Sequence, residues 1–246
     1  MAEPVTADAR TGWDAPVKVG VDLADIGEVI DAVERFGDRY LHRLFTSHEI
    51  ESCHGANAAA SLAARFAAKE AVVKVLEPAG ARPPWRDIEV IRRDDGACRI
   101  RLHRRAAALA AERSVGPMSV SLSHEAGMAV AVVAAACAAS VAQPFLTEQS
   151  PHRRSTPMTT TEETRRRIRD VLAEHGRLPV AVDQLSEDDD LFQAGMTSHA
   201  SVNVMLALED AFDVEFPEAM LRKSTFTSIG ALQRALGTLE TMEVPA

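Results

Sequence analysis

Ser198 stands in the string Leu191-Phe192-Gln193-Ala194-Gly195-Met196-Thr197-Ser198, directly before a helix-patterned run to Phe212. A hydroxyl in that position can accept a transferred group, and far upstream the chain carries residues suited to modifying such a serine. These are Asp22 in Val19-Gly20-Val21-Asp22, Glu70 in Arg65-Phe66-Ala67-Ala68-Lys69-Glu70-Ala71, and His124 in Ser121-Leu122-Ser123-His124. Each string is weak alone; taken in order, they make the chain look like an enzyme joined to its own substrate.

Each residue also has a plainer use. Thr197 and Ser198 lie where hydroxyls simply satisfy the free N–H groups of a helix start. Asp22, an acid at the end of a strand, would serve as a turn or helix cap, and Glu70 with Lys74 would be an i,i+4 surface pair worth only about 0.3 kcal/mol. On a helical wheel Leu62, Phe66, Val73 and Leu76 cluster within about 80°, with Lys69 inside that stripe, Glu70 near its edge and Lys74 beyond it. A cation in an apolar stripe needs an explanation: either it snorkels to water, or the stripe runs beside a cleft.

The elements that must position these residues follow from pattern and punctuation. Val17 to Asp22 reads as a strand, Ile26 to Leu44 and Ser47 to Cys53 as helical, and Ala58 to Leu76 as a long alanine-rich helix ended by Pro78, Gly80, Pro83 and Pro84. Asp87 to Arg92 and Cys98 to His103 flank Asp94-Asp95-Gly96 as a hairpin. A short helix over Arg104 to Arg113 precedes a second strand pair, Met118 to Leu122 with Met128 to Ala134. The irregular alternation predicts an α+β domain over residues 17–138, after a disordered N-terminus at 1–16. Residues 139–160, rich in Pro, Gln, Ser and Thr, read as a linker. From 161 to 241 the pattern is all-α: Glu162 to Glu174, Ser198 to Phe212, a short turn around Pro217 to Leu221, and Ser228 to Leu239, predicting a small four-helix bundle.

Composition narrows the class. The 246 residues suit two ordinary soluble domains. Cys53, Cys98 and Cys137 lack zinc spacing and read as reduced, buried thiols, which points to the cytoplasm. The N-terminus lacks a signal peptide's apolar stretch. Ala126 to Ala142 falls short of the roughly 20 strongly apolar residues of a membrane span and reads as a buried strand running into the linker. From Thr161 onward the net charge is −8, against −1 for the first 160 residues. This makes nucleic acid an unsuitable partner and a basic protein surface a suitable one for the tail.

Two family resemblances rest on these strings. Asp190-Leu191-Phe192, Gly195-Met196-Thr197-Ser198 and Leu206 to Pro217 resemble the acyl carrier protein family, whose matching serine carries 4′-phosphopantetheine. At about 100° per residue, Ser198, Val202, Met205 and Glu209 share one face, with Leu206 at its edge and Asp210 further round. Thr197, His199 and Asn203 depart from that family's usual Asp, Leu and acid. The variant resembles carriers served by amino acid ligases or those of secondary metabolism rather than an ordinary fatty-acid carrier.

Val19 to Ile26, Arg65 to Ala71 with Lys74, and Ser121 to His124 resemble in order the three motifs of holo-acyl carrier protein synthase, the 4′-phosphopantetheinyl transferase; Arg43-Leu44-Phe45-Thr46 with Glu49 also fits. The resemblance implies Mg²⁺ on Asp22 and Glu70, with Lys74 also in the catalytic set. Arg65, Lys69, Lys74 and His124 are then implied near coenzyme A, and a homotrimer is implied with active sites between subunits. The serine's base stays open among Asp22, Glu70 and a metal-bound hydroxide. The expected activity is transfer of 4′-phosphopantetheine from coenzyme A to Ser198, releasing adenosine 3′,5′-bisphosphate. A further enzyme would load an acyl or aminoacyl group. Two rivals are a transferase-like scaffold without catalysis whose carrier another enzyme modifies, and a transferase acting on other carriers in trans. Neither membrane nor nucleic acid is expected as a partner.

Overall fold

A computed structural model describes residues 16–78, 82–137 and 162–242. The expected linker, and the N-terminus expected to be disordered as far as residue 15, lie outside the described residues. The first part holds β1 (Val17–Asp25), α1 (Ile26–Phe36), α2 (Asp38–Leu44), α3 (Ser47–Ser52), α4 (Ala58–Leu76), β2 (Ile88–Arg92), β3 (Cys98–Leu102), α5 (Arg104–Glu112), β4 (Val115–Glu125) and β5 (Met128–Cys137). Its five strands form one antiparallel sheet in the order β1-β5-β4-β3-β2. The carrier-like part holds α6 (Glu162–His175), α7 (Ser198–Phe212) and α8 (Ile229–Met242). The α+β expectation for the first part holds. The fourth helix expected of the bundle is only a 3-10 turn at Glu218–Met220, followed by another at Lys223–Thr225.

Helix α4 crosses the inner face of β1 and β5, and small side chains set how closely. Ala63, Ala64, Ala67, Ala68 and Ala71 are buried along it. A Cβ on Gly20 of β1 would lie 2.0 Å from the Ala71 carbonyl oxygen, so glycine is what admits the helix there. This approach brings Glu70, beside Ala71, alongside Asp22, two residues on from Gly20. Asp22 is not at a strand end as expected: β1 runs on to Asp25, and Asp25 caps α1 by accepting from Glu28 N at 3.1 Å.

Strand alternation leaves the other sheet face bare. Val17, Val19, Val21 and Leu23 of β1 and Met128 and Val132 of β5 are exposed there. Strand β5 is therefore buried on one face only, where a wholly buried strand is expected. The three cysteines are free, but only Cys137 is buried; Cys53 and Cys98 are half-buried.

In the carrier-like part, Gly195 (φ +113°) turns the loop before α7 so tightly that a Cβ would meet Pro179 Cδ at 2.6 Å. The turn delivers Thr197 as the α7 cap, accepting from Ala200 N at 3.0 Å. Thr197 takes the capping role, and the Ser198 hydroxyl is left for other work.

Candidate active site

Helix α7 is buried almost all round from His199 to Glu209 because it packs on its own bundle and also on the transferase-like domain. The contact is charge-matched. Arg39 bonds Asp210 and lies 3.1 Å from Glu209 Oε2, and Arg43 bonds Glu209 and sits 3.8 Å from Glu215. Arg35 meets Glu174 at 2.6 Å. In the other direction, Arg177 of the carrier meets Asp31 at 2.5 Å and Glu28 at 3.6 Å. The basic protein surface expected for the acidic tail is thus one on its own chain.

This docking sets Ser198 beside α4, with its hydroxyl near enough to the Glu70 carboxylate to help lower its pKa. Glu70 is 5 % exposed, so the surface-pair reading of Glu70 with Lys74 does not hold. Its Oε1 accepts from Trp85 Nε1 at 2.8 Å and from Arg82, whose guanidinium stacks 4.1 Å from the Trp85 ring centre. Burial works to raise the Glu70 pKa, but the Arg82 charge, the hydrogen bonds from Arg82 and Trp85, and the nearby Ser198 hydroxyl outweigh it. The group is held below the ordinary carboxylate range. Glu70 is therefore an ionised acceptor at neutral pH.

Asp22 sits beside this group. Lys74 spans the two elements, with Nζ donating to Asp22 Oδ1 at 2.8 Å and to the Val21 carbonyl at 2.6 Å. Burial raises the Asp22 pKa, Lys74 opposes that, and the Glu70 charge adds to the rise. The two carboxylates feel each other, as two groups facing one cation site would.

Lys69 departs from both readings of its apolar stripe. It neither snorkels nor lines a cleft, because its ammonium is fully buried. It donates to Glu49 Oε2 at 2.8 Å, to the Trp85 carbonyl at 3.0 Å and to the Ile88 carbonyl. Those three bonds use its three hydrogens, so none faces a coenzyme A phosphate here. Glu49 in turn closes a capping box with Thr46 and accepts from Val90 N at 3.0 Å. Lys69 thereby ties the Trp85 segment to α4, which sets the indole on Glu70. Arg65 is likewise turned inward, 4 % exposed and bonded to the Ser61 carbonyl and Ser52 Oγ. His124 is exposed near the end of β4, paired with Ala129, on the sheet face that carries Asp22.

The structure thus brings Asp22, Glu70, Lys74 and Ser198 together and leaves Arg65, Lys69 and His124 outside that cluster. It adds Arg82 and Trp85, which sequence reading missed because an Arg-Pro-Pro-Trp segment has no periodicity to read. Arg35, Arg39 and Arg43 had a usable signal, their i,i+4 spacing, which gathers positive charge on one side of α1 and α2.

Residues 18–133 match the family model described as 4′-phosphopantetheinyl transferase superfamily, and residues 166–236 that of the phosphopantetheine attachment site. The holo-[acyl-carrier-protein] synthase of Moorella thermoacetica is 44% identical over 117 residues, covering 47% of this chain and 91% of that protein. The aminoacyl carrier protein of Agrobacterium fabrum is 47% identical over 66 residues, 27% of this chain and 80% of that protein. Among solved structures, the Helicobacter pylori holo-[acyl-carrier-protein] synthase in complex with coenzyme A is 28% identical, with a TM-score of 0.43 over 48% of this chain and all of that one. The chain belongs to the holo-[acyl-carrier-protein] synthase family, enzymes that transfer phosphopantetheine from coenzyme A to a carrier, and it carries a phosphopantetheine-attachment domain in the same polypeptide.

Proposed function

We propose that this chain modifies its own Ser198 and that the resulting holo carrier is charged with an aminoacyl group by a separate loading enzyme. The observation that carries the proposal is the seating of His199, next to Ser198, on Tyr40 and Phe66, which places the serine beside Glu70 within one chain. The aminoacyl cargo is supported by the likeness to the Agrobacterium fabrum carrier.

In the proposed step Ser198 Oγ attacks the phosphorus that bears pantetheine in coenzyme A. A new P–O bond to serine forms as the pyrophosphate P–O bond breaks, and adenosine 3′,5′-bisphosphate leaves with the bridging oxygen. Glu70 accepts the serine proton, being ionised and close to the hydroxyl. Arg82 and Trp85 hold the Glu70 carboxylate in place, and Thr197, by capping α7, keeps Ser198 free of that duty. Lys74 steadies Asp22 from the solvent side.

Two hard oxygen donors that repel each other fit Mg²⁺, which takes one or two carboxylates and completes its shell with waters and substrate phosphates. Among the described residues no cluster of three or more His, Cys, Asp or Glu offers a full protein cage. Asp22 and Glu70 would hold the ion, which would neutralise charge on the pyrophosphate.

We also propose that the chain self-associates as a homotrimer through the outer sheet face. Its support is the row of exposed Val17, Val19, Val21 and Leu23, with Val19 at 59 % and Leu23 at 62 % exposure. The activity is tested by intact-mass analysis of purified apo chain with coenzyme A and Mg²⁺. One phosphopantetheine should be gained by wild type and none by Ser198→Ala. An unmodified wild type, or a labelled Ser198→Ala tail, would refute it.

A further inference from the structure

The residue after the acceptor serine is buried in a polar-edged aromatic pocket built by the transferase domain. His199 Nε2 lies 2.7 Å from the Tyr40 hydroxyl, and Nδ1 lies 3.2 Å from Glu28 Oε2, close enough for attraction but off a good hydrogen-bond angle. The Phe66 ring stands edge-on to the imidazole, with centres 5.1 Å apart and planes at 86°; the Tyr40 ring is 5.7 Å away at 68°. Both His199 and Tyr40 are buried, at 4 % and 0 % exposure.

The placement has a register. Phe66 and Glu70 lie one turn apart on α4, and they meet His199 and Ser198, adjacent on the carrier. Whatever seats the imidazole on Phe66 therefore brings the hydroxyl toward Glu70. Burial, and after it the Glu28 charge, push the Tyr40 phenol's pKa up, so the hydroxyl keeps its proton and shares a hydrogen bond with Nε2 whose direction follows the imidazole tautomer.

An aliphatic residue at 199 would fit the rings but not the edges. Among the described residues the Tyr40 hydroxyl has no other hydrogen-bond partner, so leucine there would strand a buried hydroxyl. We infer that His199 is a specificity-determining positioning residue, read by Tyr40, Glu28 and Phe66, and that this transferase disfavours carriers with an aliphatic side chain after the serine. The inference rests on the proposed transfer to Ser198.

The test is a double-mutant cycle in the full-length apo chain. The single-turnover rate of Ser198 modification is followed by intact mass at saturating coenzyme A and Mg²⁺. High salt screens the exposed ion pairs of the same interface, so that the rate reports docking. His199→Leu and Tyr40→Phe should each slow the reaction about ten-fold, the scale of an unsatisfied buried polar group. The double variant, with both polar partners gone, should be faster than His199→Leu alone. His199→Gln, whose amide oxygen can accept from Tyr40, should keep most of the rate. The coenzyme A concentration for half-maximal rate should be unchanged throughout, which a general distortion of α4 would not allow. Single variants at wild-type rate, or a double variant slowed by the product of the two single effects, would overturn the inference while leaving the self-modification intact. No labelling of wild type at all would overturn both.

Discussion

Lys69 and Glu49 form an ion pair with both side chains fully buried, so replacing Lys69 by Met isolates what that pair does. Breaking a buried pair by removing one partner costs about 3–5 kcal/mol, because it strands the other charge. Glu49 would still accept from Thr46 N and Val90 N, which favours the low end. The Trp85 and Ile88 carbonyls would each lose a donor, adding back about 1 kcal/mol. A loss of about 3–4 kcal/mol is expected, a large share of the roughly 5–15 kcal/mol by which domains are stable. Urea unfolding of the full chain reads it as a lower midpoint at unchanged slope. Lys69→Met with Glu49→Gln should recover at least about 1 kcal/mol by removing the stranded charge. The folded fraction of either variant should keep the coenzyme A half-saturation within about three-fold, a change worth under 1 kcal/mol. A Lys69→Met protein of normal stability whose coenzyme A half-saturation rises ten-fold or more would refute this, making Lys69 a phosphate ligand.

Other expectations follow from the same geometry. Glu70→Gln and Asp22→Asn should each lower turnover by about 10²-fold or more with the circular dichroism spectrum intact; near-normal rates would return both carboxylates to structural roles. Asp22→Asn should also raise the Mg²⁺ concentration needed for half-maximal rate, and chelation should stop wild type reversibly. Arg39→Glu should slow self-modification about three- to ten-fold at low salt and little at high salt, as suits half-exposed pairs. Asp210→Arg in that background should restore part of the rate; a salt-independent loss with no recovery would show that Arg39 acts other than by charge.

What was legible in the sequence was whatever local pattern decides. Helices over 58–76 and 198–212 match the expected bounds, because an alanine-rich run closed by proline and a hydroxyl-capped amphipathic run are local signals. Strands β4 and β5 run longer than expected, since serine, alanine and glycine near the Ala126-Gly127 turn resemble loop sequence until their pairing supplies the ladder. Lys69 was misread because its partner Glu49 is 20 residues away and arrives through tertiary packing. His199 was visible only as a departure from the carrier pattern; its reason lies on Tyr40 and Glu28, in the other domain. Asp22, Glu70 and Ser198 could be picked out through family resemblance, but that the serine lies near Glu70 depends on the docking of two domains.

Self-modification within the chain or its assembly is tested most directly by the dilution dependence of its rate. Joining the two parts in one chain makes their encounter intramolecular, at an effective concentration on the order of millimolar. The initial rate of Ser198 modification is measured at saturating coenzyme A and Mg²⁺ over a wide range of chain concentration, above the point at which the assembly dissociates. The rate per molecule should be constant across the series. A rate per molecule that rises in proportion to concentration would contradict tethered transfer and assign the enzyme to carriers in trans.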